Sequence, residues 1–176
     1  MSLRGKTALV GVAESDLGEV GPGFTPLDLV GQATLRALDD AGLDKSDVDG
    51  LFSASAYHHM PTLSVGEYLG IRPRYSDATS MGGSSFVSHL FHAAAAIDAG
   101  LCEVALITYG STQRSGGGSL SYNHPGMYGL LLIVEAVRQL RGECGVRQAH
   151  EANIALVHGN GGVLSSQVTA ILARSG

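Results

Sequence analysis

Three features of this sequence predict an α/β fold built on a largely parallel sheet. Apolar, β-prone runs alternate with helix-like runs over the first 110 residues or so, in the order strand, helix, strand, helix, strand, helix, strand. An Ala-rich stretch around Ala93 to Ala96 has the small side chains of a helix packed between layers. The run from Cys102 to Tyr109 is continuously apolar, as expected for a strand covered on both faces.

The elements follow in order. Lys6 to Ala13, KTALVGVA, reads as a buried central strand, followed by a glycine-rich loop to Phe24. Thr25 then caps a helix, with Pro26 at its first position and Asp28 at its third, where the N-terminal dipole favours a carboxylate. Leu27, Val30, Thr34, Leu38 and Ala41 form the inner face of that helix, and Gly42 ends it. The acidic run Asp44 to Asp49 reads as a solvated turn before a short strand, LFSAS. Ser64 and Glu67 have capping-box spacing for the short helix VGEYLG, and Tyr75 to Thr79 reads as the next strand. Phe86, Leu90, Ala93 and Ile97 place one apolar stripe along the Ala-rich helix, which Gly100 stops.

After Tyr109 the pattern changes. Three consecutive glycines among serines between Ser111 and Ser121 form the strongest linker signal in the chain. A helix from about Gly126 to Arg141 follows, with Leu130, Ile133, Val137 and Leu140 as its buried stripe. The strands ANIALVH and SQVTAILA then flank a GNGG turn, across which they can pair antiparallel.

With 44% hydrophobic and 15% charged residues over 176 positions, the chain can bury a sizeable core. The net charge of −5 leaves no electrostatic footprint for nucleic acid or an anionic membrane. Two cysteines are too few for a disulfide framework, no apolar run approaches a membrane span, and the N-terminus lacks a signal-peptide core, so a cytoplasmic protein is expected.

The stretch from Asp77 to Thr112, a glycine turn, an Ala-rich helix and the strand AGLCEVALITYG, resembles the central element of the thiolase superfamily in its lipid-transfer or sterol-carrier-type branch. Asn123-His124-Pro125 is similar to the GHP motif of that superfamily, and His158-Gly159-Asn160-Gly161-Gly162 to its C-x-G or H-x-G motif. VEAVRQLRGECGVRQ between them is typical of the branch. The resemblance implies layered α-β-α packing, with an N-terminal domain over residues 1–114, a Gly/Ser-rich junction over 115–121 and the C-terminal end of the second domain over 122–176. The middle of the usual chain is missing, and the apparent join lies near Arg114 to Ser119.

By the same resemblance the protein acts on a lipid or sterol-like acyl-CoA, in acyltransferase-related carbon-carbon bond chemistry. Coenzyme A enters as part of the substrate, with no covalently bound cofactor, and the chain forms a homodimer or larger assembly. In working thiolases a cysteine opens the central helix in a pattern like C-x-S-G; here the positions read Gly82, Gly83, Ser84 and Ser85. Without that nucleophile the chain is not expected to be a competent covalent thiolase. His124 and His158 fall on the catalytic motifs, and Gly83, Ser84 and Gly161 on the oxyanion and substrate contacts. Some members of the branch that lack the cysteine are retro-aldolases working with a partner that carries an OB-fold domain. In that alternative Tyr128 or Tyr122 serves as the acid/base. A non-catalytic acyl-CoA or lipid-binding subunit is another alternative, and a purely structural partner a third.

The remaining candidates have bland readings. Ser84 or Ser85 as a substitute nucleophile needs a strong neighbouring base, and helix capping explains both serines. Cys102 reads as a core residue and Cys144 as a loop residue. His58-His59 lacks further ligands at metal spacing. His89 and His92, three apart on the helix, fit surface or interface packing, and the glycine runs match no nucleotide-binding spacing.

Overall fold

A computed structural model describes residues 3–16, 21–112, 129–161 and 166–174. Its elements stack in layers. Strands β1 (Gly50–Ser53), β2 (Tyr75–Asp77) and β3 (Ala105–Thr108) form a parallel sheet in the order β2-β1-β3, with Gly50 paired to Tyr75 on one side and to Ala105 on the other. Helices α1 (Pro26–Ala41) and α2 (Pro61–Leu69) cover one face, where Val30, Leu38, Val65 and Leu69 meet Leu51 and Leu106. Helix α3 (Ser85–Asp98) covers the other, with Ala93 and Ala96 against Phe52. Alternation along β1 sends Leu51 and Phe52 to opposite faces, and both are fully buried because both faces are covered. Helix α4 (Gly129–Arg141) and the antiparallel hairpin of β4 (Ile154–Gly161) and β5 (Ser166–Ala173) pack against α3 through Phe86, Val87, Ile133, Val137 and Val157.

Local signals place the helix ends. The Thr25 hydroxyl accepts from the Asp28 amide and the Asp28 carboxylate accepts from the Thr25 amide, a closed capping box, while Gly42 ends α1 in the left-handed region at φ 68°. The hairpin register runs from Ile154 opposite Ala173 to Gly161 opposite Ser166.

Three expectations are corrected. Lys6 to Ala13 is not a strand: residues 7–16 join no ladder, and Val10 is 54% exposed. The segment lies instead along α1 and α4, where Asp40 accepts from the Val12 amide and Arg141 donates to the Val10 carbonyl. The second helix starts at Pro61, a turn before Ser64, because proline at the first helical position gives up only an N-H that would have no partner there. Nor is the acidic turn wholly solvated. Asp49 reaches across to accept from the amides of Glu103 and Val104 at 2.8 and 2.9 Å, with Arg74 at 3.3 Å, tying the loop after α3 to the start of β1. Burial opposes its ionisation, but those amides and the guanidinium outweigh it and hold the carboxyl below its ordinary value.

The junction 115–121, the proposed join, and His124, Tyr122, Tyr128 and Gly162 lie outside the described residues. Among the described residues no helix is long and apolar enough to cross a membrane.

Candidate functional site

The start of α3 is a crossing point of three elements. A single 3-10 turn, Gly82–Ser84, precedes the helix, and Gly82 stands at φ 68°, a conformation that favours glycine. The Ser85 hydroxyl accepts from the Met81 amide at 2.7 Å, closing the turn. The Ser84 hydroxyl donates to the Met81 carbonyl at 3.1 Å and pairs with the Ser166 hydroxyl at 2.9 Å, which fastens the turn to β5. The Ser166 hydroxyl also lies 3.4 Å from the Met81 sulfur.

Two glycines allow this approach. A methyl on Gly159 of β4 would stand about 3 Å from the Gly83 carbonyl oxygen, Ser84 Cα and Val87 Cγ2, and one on Gly129 at the start of α4 would overlap that same carbonyl. Glycine is needed at 129 for α4 to close on the helix start, whereas at 159 a methyl would fit after its neighbours give by a few tenths of an ångström. Apart from bonds within their own turn, the amides of Gly82, Gly83 and Ser84 donate to no backbone carbonyl among the described residues. An anionic or carbonyl oxygen is the natural acceptor for such donors.

Among the sequence-predicted residues, Gly82, Gly83 and Ser84 form the turn, and Gly161 ends the β4 strand that packs against it. His158 stands on the other side of the hairpin. Val157 and Gly159 face the core, so His158 between them points outward, where its Nδ1 pairs with the Thr169 hydroxyl at 2.8 Å. Ser84 and Ser85 are fully buried, and among the described residues their hydroxyls meet Met81 and Ser166, neither of them a base. Cys102 and Cys144 are buried elsewhere, and burial raises both thiols above their ordinary value.

A second polar cluster lies on the opposite side of α3. Asp77 accepts from the Thr79 amide and hydroxyl at 2.7 Å each and pairs with His92 Nδ1 at 2.5 Å, while His92 Nε2 meets the Ser88 hydroxyl at 3.2 Å. Burial opposes ionisation of Asp77, but the Thr79 and His92 bonds outweigh it and hold the carboxyl low. Fully buried His89 donates from Nε2 to the Thr79 carbonyl at 3.0 Å, and burial lowers its basicity so that it stays neutral. The residue types are those of a hydrolytic triad, but Ser88 lies mid-helix, where the ladder consumes the amides that would have to stabilise an oxyanion. The cluster therefore ties β2 to α3. The His89/His92 spacing was visible in the sequence; the Asp77 partner, fifteen residues away from His92, was not. Among the described residues no group of three or more His, Cys, Asp or Glu side chains is placed to hold a metal.

Residues 112–174 match the family model described as thiolase C-terminal domain-like. The chain is 31% identical over 115 residues to 17-hydroxy-3-oxo-4-pregnene-20-carboxyl-CoA lyase of Mycobacterium tuberculosis, which spans 65% of this chain and 29% of the relative. It is 29% identical over 119 residues to the steroid side-chain-cleaving aldolase of Thermomonospora curvata, again spanning 65% of this chain and 29% of the relative. Among solved structures, the Ltp2-ChsH2(DUF35) aldolase superposes with a TM-score of 0.58 at 26% identity, covering 82% of this chain and 40% of the other. The chain thus matches less than a third of the length of these curated relatives.

Proposed function

From the premise that this chain has a thiolase-type fold, with residues 112–174 matching the thiolase C-terminal-like model, we propose that it is part of a carbon-carbon lyase of retro-aldol type acting on a CoA ester. The observation that carries this reading is the start of α3. It has a glycine turn with amides suited to an enolate oxygen, and both thiols are buried elsewhere; in this reading Gly82 stands where the resemblance puts the nucleophile. A retro-aldol cleavage needs no acyl-enzyme. A base takes the proton from the β-hydroxyl, the bond between the α and β carbons breaks, the β-carbon becomes a carbonyl, and the thioester enolate is held by donors until an acid protonates its α-carbon.

In this reading the Gly82, Gly83 and Ser84 amides are the enolate donors, Gly161 helps shape the substrate contact, and His124 and Tyr128 are the acid/base candidates, while His158, which points away from the helix start, takes no part. The names of the similar proteins favour a steroid-like CoA ester and a partner of the ChsH2(DUF35) kind. A second reading, a non-catalytic acyl-CoA-binding subunit, is favoured by one observation. The described residues that meet at the helix start, Met81, Gly82, Gly83, Ser84, Ser85, Gly159 and Ser166, include no group that titrates near neutrality.

The test is incubation with 17-hydroxy-3-oxo-4-pregnene-20-carboxyl-CoA, alone and with a ChsH2(DUF35)-type partner, following ketone release by mass spectrometry. Turnover that falls roughly 10²- to 10⁴-fold in His124→Ala or Tyr128→Phe supports the lyase. Binding of the CoA ester without turnover, with or without partner, supports the second reading, and absence of both binding and turnover overturns the two together.

A further inference from the structure

A cavity of about 250 Å³ separates β3 from the N-terminal segment. One wall is Ala105–Thr108 and the other runs from Leu9 to Ser15. β3 is outermost in the sheet order, so among the described residues one of its edges has no strand beside it. Because the Val104 carbonyl accepts from the Gly50 amide, the backbone groups of residues 104, 106 and 108 face β1, and those of Ala105 and Ile107 face the cavity.

The opposite wall has the same period. Side chains of Arg141, Asp40, Arg36 and Gln32 bind the backbone at Val10, Val12, Glu14 and Asp16 in turn. Contacts at every second residue are those of an extended chain. The backbone groups of Leu9, Gly11 and Ala13, all of which line the cavity, therefore face the other way. Among the described residues no backbone hydrogen bond joins the two walls.

The floor is α1, through Leu29, Ala33 and Ala37, and the roof is Leu90, Ile133 and Val134, so both faces are apolar. The charged side chain in the lining, Glu14, is already paired with Arg138 at 2.8 Å. Thr34 also lines the cavity; it is 1% exposed, and its hydroxyl oxygen has no partner among the described residues.

We propose that this slot is a strand-acceptor site, which takes an extended, uncharged, apolar strand from a second polypeptide and joins the two walls into one sheet. The strand pairs with Ala105 and Ile107 on one side and with Leu9, Gly11 and Ala13 on the other, and its side chains are buried above and below. Peptide backbone is the occupant that fits, because an apolar small molecule would leave two facing rows of peptide groups unmet.

The test is hydrogen exchange of the full chain, read by mass spectrometry. The probe is a pool of nine-residue peptides with Lys-Thr and Thr-Lys ends and five central positions drawn from Ala, Val, Ile and Leu. The expected result is exchange slowed roughly tenfold or more over both 9–13 and 105–107. The same pool with alternate backbone amides N-methylated, which cannot donate to both walls, is expected to give no protection, and Ala33→Phe, which fills the floor, is expected to abolish it. If Ala33→Phe does not fold, the N-methylated pool stands as the control. Lack of protection by the unmodified pool overturns the proposal, as does equal protection by the N-methylated pool or by dodecanoate, which would make the slot a simple apolar pocket.

Discussion

Replacing Gly129 by alanine tests whether the start of α3 is clamped as described. The added methyl would lie inside 3.0 Å of the Gly83 carbonyl oxygen, a separation that real Cβ atoms essentially never show, while its distance of 3.5 Å to Val87 Cγ2 is ordinary contact. The obstructing atom is backbone, so relief requires α4 or the glycine turn to move by roughly 1 Å rather than a side chain to rotate. Overpacking of this kind costs about 1–3 kcal/mol, and alanine returns up to about 1 kcal/mol of helix propensity, less at a first helical position. The net expectation is a loss of about 1–2 kcal/mol, or roughly 2–8 °C in Tm for a chain of this size. Circular-dichroism melting of the variant beside Gly21→Ala, where a methyl meets nothing within 4 Å, gives the measurement. If the retro-aldol reading holds, turnover falls further than stability does, because displacing the enolate donors by 1 Å costs about 10²-fold. A Gly129→Ala protein that melts with the parent would refute the clamp.

Other outcomes follow from the same contacts. His89 is buried and neutral with its pKa lowered, so an unfolded chain binds that proton first, near pH 6.5; stability is full above that pH and declines as the pH falls below it, and the Tm of His89→Gln should depend less on pH between about 7 and 5. Asp49→Ala strips two amides of their charge-assisted acceptor and should cost about 2–4 kcal/mol by urea denaturation, whereas a change below 1 kcal/mol would mean that water replaces the carboxylate freely. Both cysteines should resist a disulfide reagent at neutral pH until the chain is unfolded, since burial raises each thiol; rapid labelling of native protein at either position would contradict their placement.

Local stereochemistry accounts for the elements that reading the sequence located. Thr25, Pro26 and Asp28 define a cap within four residues, Gly42 supplies the left-handed stop, and the stripe Ile133, Val137 and Leu140 fixes the buried face of α4. The hairpin was legible because two β-prone runs bracket a glycine turn. The same locality explains why Lys6 to Ala13 misled. Its composition suits a buried strand, yet a strand also needs a neighbour whose backbone is within reach, and the cavity beside β3 leaves it without one.

Of the candidate site, the sequence by itself determined the glycine turn before α3 and the lack of a cysteine there, because both are properties of consecutive residues. Only the tertiary structure decided that Ser84 bonds to Ser166, eighty-two positions away, that Gly129 and Gly159 press on the Gly83 carbonyl, and that His158 turns outward. It likewise decided that Asp49 serves the loop after α3 and that His89 is sealed in the core. The reason is physical: a backbone conformation is chosen by its neighbours in sequence, whereas the partner of a buried polar group is chosen by whatever the packing of distant layers brings within 3 Å of it.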